Sequence, residues 1–264
     1  MFYQSIRIQI AIITKLINNT KFKIDKGDHL LDTHTHILWN IDDGSKNQCM
    51  SLQMLEIAAR SGTKAIFATP HVIERANKPS WEEIKEKTQQ LRQLCAEAQI
   101  DIMLYPGAEV QMNWELLPEL GATGAYCLNG GRYLLIELPA AEIPAYADEF
   151  WYELELKGIT PILAHPERYQ QLRENPDLLL LWRRRGMLMQ CNSGSFTGMF
   201  GSSVCENAKV LLANGLVDLL GSDGHRSEGR NTDMSRAAAV IRQLAGEEVL
   251  RQLTETNPQA ILKN

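Results

Sequence analysis

The chain has 264 residues, 44% of them hydrophobic, and its 27 lysine and arginine residues against 32 aspartate and glutamate residues give a formal net charge of −5. This length and composition allow one sizeable core and exclude a disordered or fibrous protein. The acidic balance argues against a dedicated nucleic-acid-binding protein, because such proteins normally bind through a basic surface.

The five cysteines are scattered along the chain, and none of them forms a Cys-x-x-Cys pair. An odd number of scattered cysteines is typical of a reducing compartment rather than of a disulfide-linked protein. We therefore expect a cytoplasmic protein.

Residues 1–28 are interpreted as an extension, and residues 29–264 as a single domain. The longest uncharged stretch of the extension, Ile8–Thr14, has seven residues and lies between Arg7 and Lys15. A membrane span needs about 20 apolar residues. A signal peptide would end in a small-residue cleavage site, which does not follow this stretch. The extension is thus predicted to be neither.

From Leu30 onward, short apolar runs alternate with longer amphipathic ones, a pattern typical of parallel strands joined by helices. Seven runs are predicted as strands: His29–His34, Lys64–Thr69, Asp101–Pro106, Tyr133–Leu138, Ile159–Ala164, Met187–Cys191 and Val217–Gly221. Helices are predicted at Asn47–Ser61, Trp81–Ala98, Pro144–Lys157, Asp177–Arg185, Ser203–Asn214, Met234–Leu244 and Glu247–Glu255. Seven β/α units favour a TIM-like (β/α)7 barrel over an open doubly wound sheet, although periodicity does not report closure.

Polar side chains follow almost every predicted strand, and in a parallel β/α barrel the functional residues gather at the carboxyl ends of the strands. Five of the six histidines fall there: His34, His36, His71, His165 and His225. Four carboxylates accompany them: Asp43, Glu109, Glu137 and Asp223. A His-x-His segment in extended chain places both rings on one face. Imidazole and carboxylate together suit Mn, Fe or Zn.

Each of these residues has an ordinary explanation when taken alone. A single histidine at a strand end, such as His71, is more often a hydrogen-bonded histidine than a ligand, and Glu137 in its apolar run has the character of a core carboxylate. Together they resist that explanation, because burying so many ionisable groups without a cation is costly. We therefore predict a metal centre.

The charge of the predicted centre suggests an anionic substrate. Four carboxylates contribute a charge of about −4, and two or three divalent ions contribute about +4 to +6. The carboxyl end of the predicted barrel is therefore neutral to positive. Arg168 and Arg230 are placed to reach an oxyanion there, although either alone could be an ordinary surface arginine. Enzymes that transfer a phosphoryl group to water commonly use metal ions together with arginines.

Taken in order, these motifs resemble the polymerase and histidinol phosphatase (PHP) superfamily, and more narrowly the bacterial manganese-dependent protein-tyrosine phosphatases of capsule and exopolysaccharide operons. The resemblance is carried by Asp32–His36, Asp42–Gly44, Thr69–His71, Gly107–Glu109, Ala164–Arg168 and Gly221–His225. It runs from about Leu30 to Leu262 and covers nearly the whole chain except the extension.

This resemblance implies a TIM-like distorted (β/α)7 barrel, the PHP fold, with a trinuclear centre of Mn²⁺, or of Fe or Zn, at its carboxyl mouth. One ion would be held by His34, His36, Glu109 and Asp223; a second by Glu109, Glu137 and His165; and a third by Asp43, His71 and His225. Arg168 and Arg230 match the family's phosphate-contacting arginines. The implied substrate is the phosphotyrosine tail of a cognate bacterial tyrosine kinase.

Cysteine-dependent tyrosine phosphatases need a low-pKa cysteine with arginine six residues later. The residues at that distance here are Leu55, Asp101, Tyr133, Thr197 and Leu211. That mechanism is therefore excluded in its usual form.

Several alternatives stay open from the sequence. A PHP phosphoesterase for a small molecule such as histidinol phosphate shares the same ligands, and a catalytically retired regulatory module would keep the same fold. His225, Asp42 and Glu167 are the candidates for a general acid. Residues 193–203 are predicted to form a loop at the carboxyl ends of the strands. A role of this loop in substrate contact is left open, as is a homo-oligomer.

Overall fold

The structure, a computed structural model, describes residues 29–121 and 124–263. The interpretation of residues 1–28 as an extension therefore falls outside the described residues. Within the described part, no helix is both long enough and apolar enough to cross a membrane.

Parallel strands alternate with helices, as the apolar pattern predicts. The strands are β1 Leu30–Thr35, β2 Thr63–Ala68, β3 His71–Val72, β4 Met103–Pro106, β5 Glu109–Gln111, β6 Tyr133–Glu137, β7 Thr160–Ala164, β8 Leu188–Asn192 and β9 Leu219–Gly221. They form two parallel ladders, β1-β2-β4 and β3-β5-β6-β7-β8-β9.

Two of the seven predicted strands are each followed, after a break of two residues, by a short strand that the sequence analysis missed. Pro70 interrupts the path from β2 to β3, because proline has no backbone N–H to donate to a neighbouring strand. The pairing continues across the breaks, since Gly107 N donates to Ala68 O at 2.9 Å and Glu109 N donates to Pro70 O at 3.0 Å. The short strands place His71 directly opposite Glu109.

The parallel sheet is curled, so that its last strand returns beside its first. Asp223 N donates to His34 O at 2.7 Å, and His36 N donates to Gly224 O at 2.9 Å. These bonds join β1 to the segment that follows β9. The chain thus has a mixed α/β fold with a curled parallel sheet, and the carboxyl ends of its strands meet on one side.

The helices cover the outer face of the sheet. They are α1 Gln48–Arg60, α2 Trp81–Glu97, α3 Ala147–Leu156, α4 Gln170–Glu174, α5 Pro176–Arg184, α6 Ser193–Phe196, α7 Ser202–Ala213, α8 Ser235–Ala245, α9 Glu247–Arg251 and α10 Asn257–Leu262. Two long helices begin at capping side chains, because Asn47 accepts a hydrogen bond from Met50 N and Ser80 accepts one from Glu83 N.

Two predictions along the chain are wrong in detail. The helix predicted to run from Glu247 to Glu255 ends at Arg251, and a π-helical turn then leads into α10. Residues 193–203 are not all loop, because α6 forms at their start. This short helix is anchored by the buried Glu167 carboxylate, whose Oε1 accepts hydrogen bonds from Asn192 N at 2.9 Å and Ser195 Oγ at 2.6 Å.

Both faces of the sheet are buried. On β6, Leu134 and Ile136 pack in a large cluster that also contains residues of the helices, such as Phe150. Leu135 points to the opposite face and packs with Ile162 of β7 and other strand residues. Apolar packing on both faces makes the strands rigid supports for the polar residues at their carboxyl ends.

Candidate metal centre

The nine predicted ligand residues converge at the carboxyl ends of the strands, although they come from distant parts of the chain. His34 and His36 are two residues apart, so their side chains lie on the same face at the end of β1, as their spacing predicts. Both are fully buried. Asp32 of the same strand has a structural role instead, because its Oδ1 accepts hydrogen bonds from Ser222 N at 2.8 Å and His34 N at 3.2 Å.

One group consists of His34, His36, Glu109 and Asp223, all at most 1% exposed. His34 Nε2 lies 3.1 Å from His36 Nε2, 3.0 Å from Glu109 Oε2 and 3.5 Å from Asp223 Oδ1. His36 Nε2 lies 3.2 Å from the Glu109 oxygen and 3.3 Å from the Asp223 oxygen. Ligand atoms about 2.1 Å from one ion are separated by about 3.0–3.4 Å in octahedral or tetrahedral geometry, so these spacings fit a single ion.

A second group joins His36 to Asp43, His71 and His225. Asp43 Oδ1 lies 3.4 Å from His225 Nε2 and 3.7 Å from His71 Nε2. The Asp43 side chain is 66% exposed, whereas the imidazoles are largely buried. This group therefore lies at the solvent side of the centre.

A third group surrounds Glu109. His71 Nδ1 lies 3.1 Å from Glu109 Oε2 and 3.4 Å from Glu137 Oε1. His165 Nε2 lies 2.8 Å from the other oxygen, Glu109 Oε1. The resemblance implied that Glu137 and His165 share an ion with Glu109; in the structure the group consists of His71, Glu109 and Glu137, and His165 lies outside it, in contact with Glu109.

Unpaired buried atoms support the interpretation of these groups as ligand sets. Asp223 Oδ1, His71 Nδ1 and His225 Nε2 are buried and have no hydrogen-bond partner within residues 29–121 and 124–263. A buried polar atom without a partner is costly, and a cation at the centre of each group would satisfy it. Nitrogen and carboxylate oxygen donors fit a divalent ion such as Mn, Fe or Zn.

Residues around the ligands fix the orientation of the imidazole rings. His34 Nδ1 lies 2.9 Å from Gln190 Oε1, and His36 Nδ1 lies 2.7 Å from Asp42 Oδ2. Acceptors at Nδ1 keep a proton there and leave the Nε2 lone pair for an ion. The sequence analysis missed Gln190, although its position two residues before Asn192 places both on the same face of β8.

The family match completes this description. Residues 30–263 match the family described as "Capsular polysaccharide synthesis, CpsB/CapC". The chain belongs to the CpsB/CapC family.

Relatives of this CpsB/CapC chain include the tyrosine-protein phosphatase YwqE of Bacillus subtilis (strain 168), which is 34% identical over 235 residues that cover 89% of this chain and 92% of YwqE. A solved structure described as YwqE from Bacillus subtilis and CpsB from Streptococcus pneumoniae, "unique metal-dependent tyrosine phosphatases", has a TM-score of 0.84 at 34% identity and covers 89% of this chain and 95% of its own. Histidinol phosphate phosphatase from Lactococcus lactis has a TM-score of 0.54 at 16% identity, with coverage of 83% and 94%, and shares the fold.

Both predicted arginines of the CpsB/CapC chain border the centre. Arg168 Nη1 donates to Asp223 Oδ2 at 3.2 Å, and Arg230 Nη2 donates to the same oxygen. Asn192 Nδ2 is a third donor to this oxygen at 2.6 Å. The arginine side chains are 32% and 29% exposed, so both are partly accessible to solvent.

The backbone is strained at two of the candidate ligands. His165 and Asp223 have φ values of +37° and +53°, in the left-handed region that non-glycine residues rarely adopt. Such strain amounts to about 1–3 kcal/mol per residue and concentrates at functional sites. Here it turns the two side chains into the centre at the ends of β7 and β9.

Burial and neighbouring charges shift the pKa values of carboxylates in the centre of this CpsB/CapC chain. Burial, reinforced by the negative charge of Glu109, raises the pKa of the Glu137 carboxyl to about 8. Burial also tends to raise the pKa of Asp223, but the charges of His34 and Arg230 hold that pKa well below its usual range. A divalent cation would oppose the repulsion between these carboxylates and favour their ionised forms.

A cleft of about 590 Å³ opens beside the centre. Its lining residues include Glu137, His165 and Arg168, together with Leu138–Ile143, Tyr169–Gln171, Arg173 and Glu174. The cleft thus connects the candidate ligands with the surface.

Proposed function

We propose that this CpsB/CapC-family chain is a metal-dependent protein-tyrosine phosphatase. Its substrate would be the phosphotyrosine-bearing tail of a bacterial tyrosine kinase that acts in capsule or exopolysaccharide biosynthesis. The observation that carries the proposal is the convergence of nine imidazole and carboxylate side chains beside two arginines: eight of the nine form three groups, and the ninth, His165, contacts Glu109. The names of the relatives support it, since YwqE is a tyrosine-protein phosphatase.

The proposed metal ligands are the nine residues His34, His36, Asp43, His71, Glu109, Glu137, His165, Asp223 and His225. We propose Mn²⁺ as the ion, with Fe or Zn as alternatives of the same ligand preference. When bound, these ions would lower the pKa of a water molecule and neutralise charge on the phosphate group.

Arg168 and Arg230 would bind the phosphate oxygens. Their guanidinium groups already point to one carboxylate oxygen of Asp223, and Arg230 Nε is buried without a hydrogen-bond partner in the part of the chain that the structure describes. A phosphate oxygen near the centre would satisfy this donor, and two charged donors would stabilise the negative charge that develops during transfer. We therefore propose both arginines as catalytic residues.

Two of the three candidates for a general acid are engaged elsewhere. Asp42 Oδ2 faces the His36 ring and also accepts from His71 N at 3.0 Å. Glu167 is fully buried and anchors α6. The third, His225, is itself a proposed metal ligand: its Nε2 has no hydrogen-bond partner among the described residues, and an ion bound there would leave no proton on that nitrogen to donate. A phenolate leaving group reduces the demand for any acid, because a phenol is more acidic than an aliphatic alcohol.

The cleft beside the centre would receive the phosphotyrosine side chain and the polypeptide around it. Its volume of about 590 Å³ and its opening to the surface suit an exposed tail.

We further propose that the curled sheet is a distorted seven-unit TIM-like barrel, that residues 29–264 form one domain, and that the protein is cytoplasmic. The hydrogen bonds between β1 and the segment after β9 support the barrel, and the free cysteines support the cytoplasmic location.

The test combines metal analysis with hydrolysis assays. Purified protein should hydrolyse a phosphotyrosine peptide, lose activity on chelation and regain it when Mn²⁺ is returned. The same assay with a phosphoserine peptide and histidinol phosphate separates a tyrosine phosphatase from a small-molecule phosphoesterase. Activity that survives complete metal removal would contradict the metal-dependent mechanism, and absence of all hydrolysis in metal-loaded protein would indicate a retired module.

A further inference from the structure

Phe200 contacts both of the arginines that border the metal centre. The guanidinium carbon of Arg168 lies 4.8 Å from the centroid of the Phe200 ring, and that of Arg230 lies 5.5 Å from it. Both distances are within the range of about 6 Å in which an aromatic ring attracts a cation. One half-buried ring thus contacts two positive charges.

The turn after α6 is shaped to bring this ring into position. A Cβ atom at Gly194 would lie 3.2 Å from Phe200 Cε2 and 2.9 Å from Met199 Sδ, so the glycine allows the close approach of the turn. Gly198 and Gly201 have φ values of +83° and +92°, a conformation that favours glycine. The ring position is therefore set by the backbone on both sides.

The segment that carries Phe200 is also linked to the chain beside Arg168. The buried Glu167 carboxylate, adjacent to Arg168 in the chain, accepts from Asn192 N and Ser195 Oγ, which begin the segment that ends at Phe200. Arg168 and Phe200 are thus connected through one buried anchor. Arg230 reaches the ring from the loop after β9.

Two guanidinium groups that face the same site repel one another, and each long side chain has many rotamers to lose. Asp223 attracts both, but in the proposed function a phosphate group would compete for them. An aromatic face attracts cations without competing for the hydrogen-bonding N–H groups directed at an anion.

We propose that Phe200 is a positioning residue that holds Arg168 and Arg230 at the metal centre for contact with a phosphate group. This inference rests on the proposed function, in which both arginines bind phosphate. The aromatic character of residue 200 is the property that matters, because an aliphatic side chain fills the space without attracting the cations.

The test measures binding of inorganic phosphate to Mn²⁺-loaded protein by titration calorimetry, together with kcat and KM for a phosphotyrosine peptide. Phe200→Leu should weaken phosphate binding about fivefold and lower kcat/KM about tenfold, at unchanged metal content. Phe200→Tyr should retain both values, since it keeps the ring. Tyr152→Leu, at an exposed aromatic residue of α3, is the matched control and should behave as the unaltered protein.

A second arm removes the groups that Phe200 is proposed to position. In the Arg168→Ala/Arg230→Ala background, Phe200→Leu should have no further effect on phosphate affinity. Circular dichroism checks folding, and Phe200→Met replaces the leucine variant if that variant does not fold. Unchanged phosphate affinity in Phe200→Leu, an equal loss in Phe200→Tyr, or an undiminished effect in the arginine-free background would each overturn the proposal. Phosphate binding without hydrolysis of the phosphotyrosine peptide would contradict the proposed function alone.

Discussion

Asp223 has a different task at each of its two carboxylate oxygens. Its Oδ1 lies near His34 and His36 and has no hydrogen-bond partner among the residues described, while its Oδ2 accepts from Arg168, Arg230 and Asn192. One oxygen therefore belongs to the candidate metal ligands and the other to the residues that would bind phosphate. Substitutions on the two sides of this carboxylate should have separable effects.

Arg168→Ala should lower kcat/KM for a phosphotyrosine peptide by about 10²–10³-fold, because it removes a charged donor to the transferring phosphate. Its metal content should stay unchanged, since the guanidinium group is not a ligand. His34→Ala should lose both metal and activity. Arg132→Ala is the matched control, because Arg132 is exposed and stacks on Tyr133 at the opposite end of β6. Equal metal loss in the Arg168 and His34 variants would refute this division of roles.

The cysteines should be dispensable for activity. Burial raises the pKa of the Cys95 thiol to about 11 and that of the Cys127 thiol to about 12, whereas Cys49 is exposed. Since the thiolate is the reactive form, iodoacetamide at pH 8 should modify Cys49 rapidly and leave Cys95 and Cys127 unmodified in the folded protein. Mass spectrometry identifies the sites, and the modified protein should keep its phosphatase activity. Inactivation in step with alkylation would indicate an essential thiol.

At the scale of the elements, β1 and β9 approach one another where the first candidate ligands lie. A Cβ at Gly221 would lie 2.5 Å from His34 Cβ, 3.0 Å from His34 N and 2.8 Å from Gln190 Nε2. The glycine at the end of β9 thus allows the contact that places His34. Because two of these atoms are in the backbone or at Cβ of His34, a side chain at this position must move β1 itself.

Gly221→Ala should therefore lower metal content and the melting temperature together. Gly158→Ala is the comparison, because Gly158 has a φ of +72° and a Cβ added there would meet no heavy atom within 4 Å. That variant should lose about 1–2 kcal/mol of stability through backbone strain and keep its metal. Metal analysis and thermal unfolding of both variants provide the measurement. Full metal content in Gly221→Ala would show that β1 and β9 tolerate separation.

Element type was predictable from the sequence, but two functional elements were not. Apolar runs such as Tyr133–Leu138 predict β6 to within one residue, because a short run of apolar side chains indicates a buried strand. The short strands that carry His71 and Glu109 have no apolar run, since each is only two or three residues long and follows a break. Their position depends on pairing with one another, which is a tertiary contact that periodicity does not report.

The same limit applies to the candidate site. The nine ligand residues and two arginines were predicted from residue type and from their place after strands, and the structure brings them together. Gln190 and Phe200 were not assigned a role, because an amide within an apolar strand and a phenylalanine in a Gly/Ser-rich segment have no chemical signature of their own. Their contacts with His34 and the arginines exist only in the folded chain.

At the scale of the whole molecule, the centre concentrates charge where the strands converge. Four carboxylates lie within the three ligand groups, and three of them face partly or fully buried surroundings. Without a cation, these carboxylates contact imidazoles and, at Asp223, two arginines and Asn192, and burial raises the pKa of Glu137 to about 8. The folded chain should therefore bind divalent ions far better than the unfolded chain, in which the ligands are dispersed.

Mn²⁺ should accordingly stabilise the fold as a whole. An ion that binds only the folded state at 100 times its Kd adds about 2.7 kcal/mol to the free energy of unfolding. For a chain of this size, that corresponds to a rise in melting temperature of about 5–10 °C. Thermal unfolding of chelated protein with increasing Mn²⁺ measures the shift. His34→Ala should show a much smaller shift, and Arg132→Ala should match the unaltered protein. An equal shift in His34→Ala would mean that the stabilising ion binds elsewhere, because that variant lacks one of the most buried ligands of the centre.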